Sequence, residues 1–337
     1  MRIVVDAMGS DTCPGPDVAG AVLAAREHPE NTIILVGQED AIFKELDQYK
    51  SPPSNLETRS AEHVILMTDR PAVASKEKPG SSMHVGMKMV HDGEADAFVT
   101  VGNTGAAHAI AMLFTLKRIP GVKRPALSII FPIHGKPVIF ADVGANADSK
   151  AEWLAQFAIM GSIYAHHVLK IPSPRVGLLS NGEEEGKGTQ IVIEAHHLIQ
   201  KTSLNYIGNI EPADMHNSVA DVVISDGFTG NIMLKTFESS TRYLSNIIRS
   251  EVRSSILSTL GGLLLRPVFK RVRARIDPAE IGGAPLLGVN GVVIIGHGNS
   301  EPRAIKNAII QAQKAVEANV IKAITQEFAN LRVGVTE

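Results

Sequence analysis

Short apolar runs recur along the chain, and each run ends in a polar, glycine-bearing turn that is followed by a helical pattern. Apolar runs that alternate with helices predict a mainly parallel sheet with helices on both faces, which is a doubly wound, three-layer α/β/α fold. Such sheets bind ligands beyond the carboxyl ends of their strands, so we expect the turns to meet at one edge of the sheet and to form the functional site. The six turns lie at residues 6–11, 102–105, 142–146, 180–182, 225–231 and 296–300.

The helical patterns predict where several helices begin and end. Residues 149–152 (Ser-Lys-Ala-Glu) have capping-box spacing ahead of an apolar stretch. A long helix is predicted over 230–253, and a single last helix over about 302–331. Because neither a repeat nor a break in composition divides the chain, we expect one α/β/α domain over 1–337, with only a soft boundary near residue 150.

Composition narrows the class of protein. Of the 337 residues 44% are hydrophobic, which is enough for a large core, and a formal net charge of −2 gives no sign of nucleic-acid binding. Cys13 is the only cysteine, which excludes internal disulfides and multi-cysteine metal sites and favours a reducing compartment. No apolar stretch has the length of a signal peptide or a membrane span. We therefore expect a cytoplasmic globular protein.

Several familiar catalytic motifs are absent. Segment 182–189 (GEEEGKGT) is similar to a nucleotide-binding P-loop, but it has three residues instead of four between its glycines and no Ser or Thr after Lys187. No GxGxxG follows a strand, and no GxSxG marks a serine nucleophile. The histidine pairs at 166–167 and 196–197 lack metal-ligand spacing, so we expect neither a metal nor another cofactor. The glycine-rich turns themselves suit an anion, because glycine lets N–H groups approach closely and a helix amino terminus is partly positive.

Segment 256–276, inside a protruding helical segment that we expect over 250–278, is apolar and basic at once. Its apolar and cationic side chains fall on different faces of a helix, and no acidic residue separates them. Such a helix can lie on an anionic membrane or dock an acidic carrier protein, and packing against a second subunit is the third interpretation. The residues expected to contact the membrane or the carrier are Leu263, Leu264, Leu265, Arg266, Phe269, Lys270, Arg271 and Arg273.

Seven short motifs lie in order along nearly the whole chain. They are DAMGSD (6–11), GNTGA (102–106), KRPAL (123–127), DVGAN (142–146), SDGFTGN (225–231), GGAPLLGVNG (282–291) and GHGNS (296–300). Together they resemble the motifs of the bacterial phosphate acyltransferases of phospholipid synthesis, the PlsX family. The departures are local: the family usually has Gly where Ser10 stands and Ser where Asn299 stands, and the basic run at 76–82 is looser here.

The resemblance implies a Rossmann-like layout related to the isocitrate-dehydrogenase and phosphotransacetylase folds. It also implies an enzyme that makes an acyl phosphate from a long-chain acyl-acyl-carrier-protein and inorganic phosphate, for phosphatidic acid synthesis. Because phosphate is then the nucleophile, no serine, cysteine or histidine base is required, which agrees with the absent motifs. The resemblance further implies a homodimer attached peripherally to the membrane, and the downstream membrane glycerol-phosphate acyltransferase is an expected partner.

For this chemistry, hydrogen-bond donors and cations at the turns matter more than bases. We expect Lys187 to serve the phosphate or the oxyanion, Asn231 to donate its amide to the reacting centre, and Asp226 to orient Lys187 or its own loop. Asp226 and Asn231 also suit a simpler role as helix caps, and Lys187 that of an exposed loop lysine beside glutamates. The other residues expected to bind phosphate or substrate are Asn103, Thr104, Gly105, Asn146, Thr229, Gly230, His297, Asp6 and Gly9.

Other functions stay open on the sequence. One is a phosphate acyltransferase that uses acyl-coenzyme A instead of an acyl carrier protein. Another is a non-catalytic scaffold that binds carrier proteins at the membrane, although such a scaffold has no use for six polar loops. A metal-dependent dehydrogenase with a similar layer architecture is a weaker option, because the dinucleotide motif is missing.

Overall fold

A computed structural model describes residues 1–133, 136–276 and 282–333 of the chain. The strands are β1 (Arg2–Asp6), β2 (Thr32–Gly37), β3 (Leu56–Ser60), β4 (Ala97–Thr100), β5 (Ala126–Ile133), β6 (Lys136–Ala141), β7 (Val176–Leu179), β8 (Tyr206–Ile210), β9 (Val222–Ile224), β10 (Ala284–Leu287) and β11 (Val292–Ile295). The helices are α1 (Gly15–Glu27), α2 (Glu39–Leu46), α3 (Pro71–Glu77), α4 (Ser82–His91), α5 (Thr104–Ala109), α6 (Ala151–His167), α7 (Gln190–Gln200), α8 (Pro212–His216), α9 (Gly227–Val252), α10 (Ile256–Ile276), α11 (Pro302–Glu317) and α12 (Val320–Val333). A π-helical turn (Ile110–Phe114) continues α5.

The strands form one sheet in the order β3-β2-β1-β4-β11-β10-β5-β6-β9-β7-β8. A first group, β1 to β4 with β11, is parallel, and so is a second group, β6 to β9. Between them, β10 and β5 are antiparallel to each of their neighbours. Three successive antiparallel pairings make the second group run opposite to the first. The predicted α/β fold with a mainly parallel sheet is confirmed.

The reversal corrects the expectation that all six turns meet at one edge of the sheet. The turns after β1, β4 and β11 follow the carboxyl ends of the first group, whereas those after β6, β7 and β9 follow strands of opposite direction. A short apolar run has the same pattern whichever way its strand points, so the sequence pattern did not reveal the reversal.

The pairing register nevertheless brings the two sets of carboxyl ends to the same height. β10 pairs with β11 through its first two residues and with β5 through its last two. Ala141, the last residue of β6, pairs with Ser128 near the start of β5. If the pairing of β10 with β5 is continued by one residue, Ser128 lies opposite Pro285, which itself pairs with Ile294 of β11. Ala141 is therefore level with Ile294. The two groups of turns therefore face each other across the junction of β10 and β5.

Burial on both faces explains the continuous apolar strands. Ile3 and Val5 of β1 belong to one core cluster, which includes apolar residues of α1, α6 and α11. Val4, between them, belongs to the second cluster, which includes residues of α4 and α5. Because alternate side chains of a strand point to opposite faces, both faces of the sheet must be apolar.

Three predicted helix boundaries were wrong. The helix expected from 230 begins at Gly227. The capping box at 149–152 does not form: α6 begins at Ala151, and the Ser149 hydroxyl donates instead to the carbonyl of Asn146 at 3.2 Å. The last helix is two helices, because Asn319 adopts a left-handed conformation with φ of 51°. Asn tolerates this conformation better than most residues, and it interrupts the helical hydrogen bonds.

Candidate functional site at the facing strand ends

The turn after β6 is organised by the carboxylate of Asp142, which is buried and accepts five hydrogen bonds of 2.8–3.1 Å. The donors are the backbone N–H groups of Leu127, Gly144, Ala145 and Asn146, and the Asn146 side chain. Burial raises the pKa of Asp142, and the donors oppose that shift because they stabilise the carboxylate. The sequence did not single out Asp142, although it is the structural centre of this turn.

Asn146 serves the same turn. Its side-chain nitrogen donates to Asp142 at 2.9 Å and to the carbonyl of Pro125 at 2.7 Å, and the residue is 7% exposed. Both donor positions of the amide are thus occupied by protein acceptors. As the structure stands, Asn146 ties the turn to the start of β5.

Asp226 caps α9. Its carboxylate accepts hydrogen bonds from the N–H groups of Phe228 at 3.0 Å and Thr229 at 2.9 Å. Of the two roles expected for Asp226, the structure therefore shows the one that orders its own loop. In the part of the chain that the structure describes, no hydrogen bond or ion pair joins it to Lys187. The capping interpretation that the sequence left open is realised here.

Gly230 lets α9 approach the turn after β6. A Cβ atom at this position would lie 1.9 Å from the carbonyl oxygen of Asp142, so only glycine fits. The Gly230 N–H donates to the carbonyl of Asp226 at 2.9 Å and is already occupied. Gly230 therefore contributes close approach to the site.

Asn231 is placed over the turn by this approach. It is half-buried, and its Cγ lies 3.6 Å from the position of a Cβ atom on Gly144, a residue with φ of 140°. Neither the Asn231 carboxamide nor the exposed hydroxyl of Thr229 is hydrogen-bonded to any residue that the structure describes. Both side chains can therefore bind a substrate at the start of α9.

Lys187 lies in an exposed loop between β7 and α7. Its N–H donates to the carbonyl of Glu184 at 2.9 Å, and the Asn209 side chain donates to the same carbonyl at 2.9 Å. Within the described ranges, no carboxylate lies within ion-pair distance of its ammonium group, despite the neighbouring glutamates. The structure thus presents Lys187 as an exposed cation at the carboxyl end of β7, and it does not bring it into contact with Asn231.

The turn after β1 is held by buried groups. Asp6 is 1% exposed, and its carboxylate accepts hydrogen bonds from the Met8 N–H at 3.0 Å and the Thr100 hydroxyl at 2.7 Å. Burial raises the pKa of Asp6. Gly9 is buried too, and a Cβ atom there would lie 2.9 Å from the N atom of Gly102. In this structure both expected substrate-binding residues lie beneath the turn and shape it.

Asn103 fixes the turn after β4. Its side-chain oxygen accepts the N–H of Ala106 at 3.0 Å and caps α5. Its side-chain nitrogen donates to carbonyls in the segment 66–69 at 3.1–3.4 Å, so this segment is held against the turn. The backbone N–H groups of Thr104 and Gly105 donate to no residue in the described parts of the chain. The expected anion cradle at this turn therefore retains two free donors.

His297 connects the two groups of turns. It follows β11, in the first group, and its Nε2 atom lies 3.5 Å from the Glu238 carboxylate on α9, in the second group. The His297 side chain is 61% exposed and that of Glu238 is 27% exposed. The sequence did not identify Glu238, because its helical pattern gives no sign of which strand end α9 passes.

The segment expected to contact membrane or carrier is a helix with little of its apolar surface buried. Leu263, Leu264 and Leu265 are 64%, 82% and 49% exposed, and Ile256 and Leu257 are more than 80% exposed. The cations Arg266, Lys270 and Arg271 are exposed too, and Phe269 is 38% exposed. The side chain of Arg273 lies outside the described residues. None of the helices that the structure describes combines the length and the apolar character needed to cross a bilayer.

The described residues contain no group of three or more His, Cys, Asp or Glu side chains arranged to hold a metal ion. The described residues of the facing turns offer hydrogen-bond donors and a cation for binding. They are the Asn231 amide, the Thr229 hydroxyl, the N–H groups at the start of α5, and the Lys187 ammonium group. Such groups bind anions and stabilise negative charge that develops during a reaction.

Comparison with known proteins is consistent with this arrangement. Residues 1–323 match the family described as fatty acid synthesis protein. The phosphate acyltransferase of Halothermothrix orenii is 44% identical over 330 residues, covering 97% of this chain and 98% of the relative. That of Dictyoglomus thermophilum is 43% identical over 333 residues, covering 98% of each.

Among solved structures, a phosphotransacetylase from Streptococcus pyogenes has the same fold, with a TM-score of 0.59, 19% identity and 94% of each chain covered. At this identity the likeness concerns the fold alone. The match over nearly the full length, together with the near-complete overlap with relatives more than 40% identical, establishes descent. The chain belongs to the fatty acid synthesis protein family, the PlsX family, together with these phosphate acyltransferases.

Proposed function

We propose that the protein forms an acyl phosphate from a long-chain acyl-acyl-carrier-protein and inorganic phosphate, and so supplies phosphatidic acid synthesis. Family membership supports transfer of an acyl group to phosphate, since the relatives are named phosphate acyltransferases. The site supports it through uncommitted donors at facing strand ends, where an anionic nucleophile and an oxyanion both need stabilisation.

The reaction balances without a covalent enzyme intermediate. An oxygen of hydrogen phosphate attacks the thioester carbonyl carbon and a C–O bond forms. The tetrahedral intermediate collapses, the C–S bond breaks, and the proton of hydrogen phosphate ends on the leaving thiol. The protein must hold phosphate near the carbonyl, stabilise the oxyanion and assist thiolate departure.

Asn231 and Lys187 suit two of these tasks. The Asn231 amide is held at the start of α9 by the contact between Gly230 and Asp142, so its position is set before substrate binds. Lys187 provides a positive charge that no neighbouring carboxylate of the described residues neutralises. We assign Asn231 to the oxyanion or phosphate and Lys187 to the phosphate charge.

The observation that carries the proposal is that the described turns offer donors and not an activated nucleophile. Cys13 is half-buried after the turn of β1, and burial raises the pKa of its thiol, which disfavours the thiolate. The His297 ring lies 3.5 Å from the Glu238 carboxylate, and among the described residues it makes no hydrogen bond to a serine or cysteine side chain. Phosphate as its own nucleophile removes the need for such a group.

The test is acyl phosphate formation by the purified protein from long-chain acyl carrier protein and radiolabelled phosphate. Lys187→Ala and Asn231→Ala are expected to lower kcat by about 100-fold or more while the circular dichroism and melting temperature stay unchanged. Lys201→Ala, an exposed lysine after α7, is the matched control and keeps full turnover. Near-normal rates in both site variants would contradict the assignment.

Substrate identity is decided by comparing thioesters. We expect the acyl carrier protein to be preferred over acyl-coenzyme A in kcat/KM. A preference for acyl-coenzyme A would favour the alternative phosphate acyltransferase, and carrier binding without any acyl phosphate would favour a scaffold. Nicotinamide fluorescence titration tests the dehydrogenase alternative, for which we expect no saturable binding.

We further propose that α10 attaches a homodimer to anionic membrane, where the product is released near the membrane glycerol-phosphate acyltransferase. The exposed leucines supply apolar contact, and Arg266, Lys270 and Arg271 supply attraction to acidic lipids. In a flotation assay, the variant with Leu263→Asp and Leu264→Asp is expected not to float with anionic vesicles, whereas the wild-type protein does. Its turnover is expected to stay unchanged. Leu23→Asp on α1, where Leu23 is 42% exposed, is the control. Unchanged flotation of the double variant would refute the role of α10.

A further inference from the structure

A basic cleft of about 510 Å³ lies between the segment 112–124 and the start of α6. Its charged and aromatic lining residues are Arg118, Lys123, Arg124, Lys150, Glu152 and Trp153. Four cations against one carboxylate make this lining positive, although the whole chain has a formal net charge of −2. A positive patch on a slightly acidic protein indicates a negatively charged ligand or partner.

The cleft shares a wall with the turn after β6. Arg124 precedes Pro125, whose carbonyl accepts the Asn146 side-chain N–H at 2.7 Å. Lys150 follows Ser149, whose hydroxyl donates to the Asn146 carbonyl at 3.2 Å. The lining of the cleft is therefore joined, through Pro125 and Ser149, to the turn that Asn231 covers.

The cations of the cleft are held in place by the fold. The Gln156 side chain accepts the Lys123 N–H at 2.8 Å and donates to the carbonyl of Gly121 at 3.1 Å, which fastens this loop to α6. The Arg124 guanidinium lies 5.1 Å from the centre of the Trp153 ring. These contacts order the loop and Arg124 without neutralising a cation. Lys123 also lies 3.7 Å from the Glu152 carboxylate, but both side chains are 56% exposed, so this ion pair is weak and an acidic partner can replace Glu152.

The form of the cleft favours a protein over a small anion. The Trp153 ring is in contact with Arg124 and, at 5.9 Å, with the Lys150 ammonium, which leaves it poorly suited to stack on the base of a nucleotide. The Lys123 side chain is 56% exposed at the rim. Leu113, also in the lining, is 54% exposed. An exposed apolar side chain among several cations suits an interface with an acidic protein.

We propose that this cleft is the docking surface for the acidic acyl carrier protein, oriented so that its thioester arm reaches the turn between Asp142 and Asn146. The inference rests on the proposed function, and it gives carrier binding to the cleft and membrane binding to α10. Acidic residues of the carrier pair with Lys123, Arg118 and Lys150, and the apolar Leu113 packs at the centre of the interface.

The test is a charge reversal of the full-length protein, with Lys123→Glu and Lys150→Glu combined. The matched control reverses two exposed lysines elsewhere, Lys44→Glu and Lys201→Glu, which gives the same net charge. Both proteins are assayed with long-chain acyl carrier protein and with acyl-pantetheine, the thioester arm without its protein. Affinity for unacylated carrier protein is measured separately by calorimetry.

For the cleft variant we expect KM for the acyl carrier protein to rise at least tenfold, kcat and acyl-pantetheine turnover to change less than twofold, and calorimetric affinity to fall by the same factor as KM rises. Equal carrier KM and affinity in the cleft and control variants would overturn the inference. So would loss of acyl-pantetheine turnover, or a changed oligomeric state, which would make the cleft part of the catalytic centre or a subunit interface. If the wild-type protein forms acyl phosphate from neither thioester, the proposed function fails, and the calorimetric comparison still decides the docking surface.

Discussion

The contact between Gly230 and the turn after β6 gives the sharpest test of the site. In the Gly230→Ala variant the new Cβ atom would lie 1.9 Å from the carbonyl oxygen of Asp142, whereas real Cβ atoms essentially never approach within 3.0 Å. Helix α9 or the turn must therefore move by about 1 Å. The obstacle is backbone, so no side-chain rotation can relieve it.

Two effects follow from that displacement. Overpacking of a tightly packed site costs typically 1–3 kcal/mol and occasionally more, so we expect the free energy of unfolding to fall by about 3 kcal/mol. A misplacement of about 1 Å at a reacting group can lower the rate by about 100-fold, and Asn231 moves with α9. We therefore expect kcat for acyl phosphate formation to fall by about two orders of magnitude.

Urea unfolding followed by circular dichroism measures the first effect, and the radiolabelled phosphate assay measures the second. Gly186→Ala is the control, because a Cβ atom there meets nothing within 4 Å. The reasoning is refuted if Gly230→Ala unfolds at the same urea concentration as the control and keeps normal turnover, since α9 would then not begin against the carbonyl of Asp142.

Three further predictions concern buried polar groups. Burial raises the pKa of Asp17 to about 8, so between about pH 4 and pH 8 the folded protein keeps a proton that the unfolded chain releases. The folded state therefore has its full stability below about pH 4 and loses stability as the pH rises towards 8. The unfolding free energy measured with urea should therefore fall between pH 5 and 8, and Asp17 contributes as much as about 4 kcal/mol to this fall. Asp6 and Asp142, whose pKa values burial also raises, contribute in the same direction, so Asp17→Asn should make the fall smaller without abolishing it; an equal fall in the variant would contradict this. Asn103→Ala removes the cap of α5 and the hydrogen bonds to residues 66–69, so calorimetry should show a free energy of unfolding lower by about 1–2 kcal/mol. An unchanged free energy of unfolding would contradict the capping role. Asp142→Ala removes the acceptor of five hydrogen bonds, and we expect urea unfolding to show a free energy of unfolding lower by about 3–5 kcal/mol. A stability close to that of the wild type would contradict this prediction.

Much of the candidate site is visible in the sequence, because strand ends and helix starts leave local signals. The turns that hold Asp226 and Asn103 were located from the apolar runs that precede them. A capping role was expected for Asp226, since Asp caps helices through short-range hydrogen bonds, whereas the cap that Asn103 makes was not expected. Their partners were not predictable, because Asn103 also binds the segment 66–69, more than thirty residues away. Glu238 was missed for the same reason, as its contact with His297 joins distant parts of the chain.

The sequence by itself determined the α/β class, the position of the six turns and the family. Each of these depends on a local pattern or on short motifs of consecutive residues, which can be recognised without the structure. The tertiary structure alone decided how the turns are arranged. The antiparallel pairings of β10 and β5 reverse the second half of the sheet, and the pairing register brings the opposed strand ends to one level. Strand direction and register depend on pairing between distant segments, and apolar periodicity carries no information about either.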